Sequence, residues 1–67
     1  METLADALPK EMARVRTVLG YYKEIGPVGM FGALIIEQSL QRADKAVASG
    51  DVAQMIAAYK DLKEIRE

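Results

Sequence analysis

Apolar positions recur at spacings of three and four along most of this chain. From residue 8 to residue 25 they fall at Leu8, Met12, Val15, Leu19 and Tyr22, with Val18 and Ile25 at the edge of the stripe. That is the period of an amphipathic helix. A second run places Gly29, Gly32, Ala33, Ile36, Leu40, Ala43 and Val47 on one face, at about 100° per residue. A third carries Val52, Met55, Ile56, Tyr59 and Leu62. No alternating run and no hairpin dipeptide occurs, so no strand is predicted.

Stop and start signals separate these runs. Thr3 can cap one turn of helix, with Asp6 favourable near its N-terminus. Pro9 disfavours helical angles at Leu8, so a break is expected there, and Pro9 suits the first position of the next helix. Gly26 and Pro27 end that helix. Gly50 ends the next one. Asp51 then serves as an N-cap, with Gln54 completing a capping-box-like pattern. The expected helices span 9–25, 29–49 and 52–65. Short connections make them antiparallel neighbours. The fold class is all-α: a small up-down-up three-helix bundle with a short N-terminal helical turn, forming a single domain over residues 1–67. Lys60 with Glu64 and Lys63 with Glu67 are spaced for weak surface ion pairs.

One stretch departs from the amphipathic rule. Gly26 to Ile36 carries no charge and no conventional polar side chain. Phe31, Leu34 and Ile35 point roughly opposite to the stripe of Gly29, Ala33, Ile36 and Leu40. The middle helix is therefore apolar all round in its first half, a pattern that belongs to a helix covered on every side. Leu4 and Leu8 could fold over these residues within one chain. A second chain is the favoured cover, because two neighbouring helices cannot easily surround a third. Met30, Phe31, Leu34 and Ile35 are thus the candidate interaction residues, with a dimer as the favoured assembly and a further protein partner conceivable.

Composition narrows the chemistry. Sixty-seven residues form a small domain, without cysteine for disulfides and without histidine. Packing or self-association must then supply its stability. The same absences remove the usual zinc ligands, general base and thiol nucleophile. Neither metal, cofactor nor enzymatic activity is expected. Glu37, Gln41 and Asp44 share one side of the middle helix and read as a solvated face. Ser39 has no base near it in sequence. Gly26, Gly29 and Gly32 lack the spacing and the preceding strand of a dinucleotide fingerprint.

Nine basic and ten acidic residues leave a net charge of −1. That gives no global attraction to nucleic acid or to an anionic membrane. One local exception is a basic and aromatic face on the first long helix, Lys10, Arg14 and Tyr21, which could contact a phosphate backbone and stack a base. It defines an alternative reading as a nucleic-acid-binding accessory protein. No run approaches the roughly 20 apolar residues of a membrane span, and no signal-peptide pattern is present. A cytoplasmic setting is expected.

The segments Ala7-Leu8-Pro9, Tyr22-Lys23-Glu24-Ile25-Gly26-Pro27, Ile36-Glu37-Gln38 and Ser49-Gly50-Asp51 together resemble small helical proteins encoded in bacterial genomes and their prophages. The resemblance spans nearly the whole chain. It implies a bacterial or phage setting and an accessory, non-enzymatic role, and it carries no catalytic residue.

Overall fold

The computed structural model describes residues 2–66, and these form three helices joined by short turns. Helix α1 runs Leu4–Ile25, α2 runs Met30–Ser49 and α3 runs Val52–Lys63. A single 3₁₀ turn, Pro27–Gly29, leads into α2. All three helix pairs are in contact, and no strand occurs among the described residues. The small helical bundle expected from the periodicity is the observed fold.

The N-terminal turn is not a separate piece. Residues 4–8 form the first turns of α1, which passes through Pro9 without a break. Two local features keep the helix continuous there. Thr3 and Asp6 form a reciprocal capping box, with the Asp6 amide donating to Thr3 Oγ1 and the Thr3 amide donating to Asp6 Oδ2, each at 3.3 Å. This fixes the start of the helix upstream of the proline. The amide that Pro9 lacks would have bonded the Ala5 carbonyl, and Ala5 and Pro9 both face solvent. Water can satisfy that carbonyl, while Leu8 on the other side is wholly buried.

Gly26 takes φ +92°, where a side chain would be strained, and closes α1 with its amide on the Lys23 carbonyl. Next, Tyr22 packs against the start of α2. A Cβ on Gly29 would lie 2.1 Å from the Tyr22 carbonyl oxygen, and one on Gly32 would lie 2.6 Å from the Tyr22 ring. The small residues noted in this stretch thus allow α1 and α2 to approach closely within one chain. Asp51 caps α3 as its position suggests: Oδ1 accepts from the amides of Ala53 at 2.9 Å and Gln54 at 3.2 Å. The Gln54 side chain does not return to the Asp51 amide, which donates to Ser49 Oγ instead.

The core contains Leu8, Met12, Val15 and Val18 from α1, Ile36, Leu40, Ala43 and Ala46 from α2, and Ala58 and Leu62 from α3. Three stripe assignments shift. Val18 is central and Ile25 is exposed. On α2, Ser39 and Ala46 are buried and Val47 is not, because α3 presses on that side of the helix. On α3 Ala58 and Leu62 are buried and Met55 and Tyr59 partly buried beside them, whereas Val52 and Ile56 stay largely exposed. The alanine at 58 lets α3 approach its neighbours closely there.

Helix α3 is also short. It has 12 residues against 22 in α1 and 20 in α2, about 18 Å against roughly 30 Å. Its last turn lies beside Arg14 of α1 and Arg42 of α2. Arg14 Nη2 donates to the carbonyls of Leu62 and Ile65, each at 2.9 Å, and Arg42 Nη2 lies 2.9 Å from Asp61 Oδ2. From there to the Gly26 turn the molecule is only two helices thick. The radius of gyration is 12.2 Å, against about 11 Å for a compact chain of this length. The accessible surface is 4641 Å², against about 4200 Å² expected for its size.

Candidate functional site

The two-helix end carries the largest apolar residues left in water. Phe31 is 75% exposed and Val28 is 89% exposed, and Tyr21, Ile25, Met30, Leu34 and Ile35 are exposed around them. Leu4 and Leu8 do not cover this group. Leu8 is buried in the core and Leu4 packs against it, at the far end of α1 from the Gly26 turn. Cover from the N-terminal segment is therefore ruled out as the reason for the apolar stretch.

Helical geometry orders these residues. On α2, Phe31, Ile35, Ser39, Arg42 and Ala46 follow one another by three or four positions and form one row. Its second half is the side against which α3 packs. On α1, Arg14, Val18, Tyr21 and Ile25 form a row by the same spacing, and Arg14 meets the end of α3. Tyr21, Ile25, Phe31 and Ile35 therefore line the cleft that α3 would fill if it were longer. Leu34 adjoins Phe31 on the outer edge. Met30 sits about 140° around the helix from Ile35, toward the opposite side. Of the four interaction candidates, Phe31, Leu34 and Ile35 form one surface and Met30 flanks it.

Polar contacts lie on the reverse side. Lys23 Nζ reaches Glu37 Oε1 at 3.0 Å, and Arg16 Nη2 reaches Asp44 Oδ1 at 3.5 Å. The carboxylates of the solvated strip are thus paired with cations of α1, on the side of α2 away from α3. Gln41 is exposed beside them. Ser39 is buried and its Oγ accepts from Arg42 Nη2 at 3.0 Å, so it is part of the α2–α3 contact. A groove of about 430 Å³ between α2 and α3 is floored by Ala46, Ala57 and Ala58, and the Arg42–Asp61 pair lies along it. A smaller apolar group, Val47, Val52 and Ile56, surrounds the Gly50 turn.

The basic and aromatic residues of α1 do not remain one free face. Lys10 pairs with Glu2. Arg14 is half-buried, bonded to Glu11 Oε1 at 2.6 Å and to the two carbonyls of the α3 end. Tyr21 stands roughly 10 Å farther along the helix, inside the apolar cleft. Near the end of α3, Lys63 lies over the Tyr59 ring, 5.4 Å from its centroid. Its expected partner Glu67 falls outside the described residues. Among the described residues Lys60 and Glu64 form no ion pair.

Spacing alone assigns Tyr21 to a basic face and Ile25 to the core edge, and gives Val28 no role. The rows containing Tyr21 and Ile25 are legible in the sequence. The way α1 and α2 are turned toward α3 is not, and that setting leaves them exposed beyond its end. No helix of the described residues is long and apolar enough to cross a membrane. The chain matches no protein-family model, and no curated protein or solved structure is significantly similar to it.

Proposed function

We propose that this chain is a small, non-enzymatic helical interaction module that associates with copies of itself through the apolar face of its two-helix end. The observation that carries the reading is the continuous exposure of Tyr21, Ile25, Val28, Phe31, Leu34 and Ile35 beyond the end of α3. Side chains exposed by half to nine-tenths leave on the order of 700 Å² of largely apolar surface there. The largest apolar patch on an ordinary monomer is about 300–600 Å², and larger ones mark interaction surfaces. Covering this area releases water at roughly 25 cal/mol per Å² before the costs of association. The accessory role implied by the resemblance to bacterial and prophage helical proteins fits such a module.

Sedimentation equilibrium over a wide concentration range tests the reading. The expected result is a mass of two chains at high micromolar concentration, falling toward one chain on dilution. A mass of one chain at every concentration overturns it.

A further inference from the structure

We infer that a second copy of this chain fills the cleft above α3 by inserting its own two-helix end antiparallel, so that the Gly26 turn of each copy abuts the C-terminal end of the other's α3. The inference rests on the self-association proposed above and specifies its geometry.

Three observations converge on this occupant. First, the cleft continues the seat of α3. Phe31 and Ile35 extend the row of Ser39, Arg42 and Ala46, and Tyr21 and Ile25 extend the row of Arg14. A helical element running alongside α1 and α2 is the shape that fits. Second, the lengths match. The uncovered part of α2 is about eight residues, the difference between its 20 and the 12 of α3, or roughly 12 Å. The two-helix end of another copy has that same length, because it is the same part of the molecule. Third, the area suffices. On the order of 700 Å² per copy approaches the about 800 Å² per partner of a standard interface.

Orientation follows from symmetry. A two-fold contact must use the same patch on both copies. Inserting antiparallel, each two-helix end lies in the other's cleft, and four helix segments form one layer pair. The base of each cleft is closed by the end of α3, where Ile65 packs against the core and Arg14 holds the Ile65 carbonyl. Val28, the most exposed apolar residue of the turn, then arrives at Glu64 and Ile65 of the other copy. The ion pairs Lys23–Glu37 and Arg16–Asp44 stay outside, on the reverse face, so no charge of theirs enters the seam.

The chain has no cysteine, so an introduced thiol reports only its own position. Val28→Cys and Glu64→Cys each replace an exposed side chain. The two variants are mixed, the second carrying heavy nitrogen so that unlike pairs are told by mass, and treated with a short bismaleimide. Links between unlike copies, 28 to 64, are expected to exceed 28-to-28 links several-fold. Each variant is sedimented beside the unmodified protein, and links are scored at a concentration where both variants form dimers. A dimer that links mainly 28 to 28, or not at all, overturns the antiparallel arrangement and leaves self-association standing. Absence of any dimer in sedimentation overturns both.

Discussion

Ile35 and Ser39 stand one turn apart on the same row of α2, yet Ser39 is 3% exposed and Ile35 is 48% exposed. Polarity alone would put them the other way round. The inversion comes from the reach of α3. At Ser39 the third helix is present, and Arg42 ties the serine hydroxyl to Asp61. One turn earlier α3 has ended, and the isoleucine meets water.

Ile35→Glu should therefore separate association from folding. A charge placed at an exposed site of the monomer should change its stability by no more than about 0.5 kcal/mol. In the proposed seam the same charge would be buried without a partner, which is strongly unfavourable. Sedimentation should give one chain for the variant under conditions where the unmodified protein gives two. Far-UV circular dichroism should be unchanged. Retention of the larger species would exclude this face as the seam.

Gly20 and Gly29 should respond oppositely to alanine. Gly20 lies inside α1, and a Cβ added there would meet nothing within 4 Å. Gly20→Ala should thus stabilise by about 0.5–1 kcal/mol through helix propensity and unfolded-state entropy. At Gly29 the added carbon would strike the Tyr22 carbonyl, so Gly29→Ala should destabilise by about 1–3 kcal/mol. Urea midpoints measure both. Equal effects at the two sites would mean α1 and α2 are not in close approach at Tyr22.

Asp51→Ala should cost about 1 kcal/mol, because two amides of the first turn of α3 lose their acceptor. For a domain of this size that is a fall of about 4–8 °C in the thermal midpoint. An unchanged midpoint would mean α3 draws no stability from this cap.

Arg14 should behave as a structural residue. Its guanidinium bonds Glu11 and two carbonyls at the end of α3. Arg14→Lys keeps the charge and loses the planar fork, so it should cost about 1–2 kcal/mol. Amide exchange should quicken at Ile65, whose N–H bonds the Leu62 carbonyl at 3.1 Å. With Arg14 so engaged and a net charge of −1, a labelled oligonucleotide should show no anisotropy change even in about 50 mM salt. Binding that weakens steeply with salt would instead support the nucleic-acid reading.

Local physics made much of this molecule legible in advance. The apolar period, the Gly26-Pro27 stop and the Gly50-Asp51 restart depend on backbone angles and neighbours a few residues away. They defined three helices and the cap at Asp51. The unusual run from Gly26 to Ile36 likewise pointed to Phe31, Leu34 and Ile35. Pro9 reads as a break because its cost is local, while its compensation is shared: a capping box upstream, water on Ala5 and burial of Leu8. What tertiary structure alone decided was how the three helices are turned and set against one another, so that the short α3 ends beside Arg14. That setting includes Arg14 reaching the carbonyls of Leu62 and Ile65, contacts 48 and 51 positions apart in the chain. No periodicity encodes such a distance. It turns Tyr21 and Ile25 from face and edge residues into the lining of a cleft, and it makes Val28 the tip of the two-helix end.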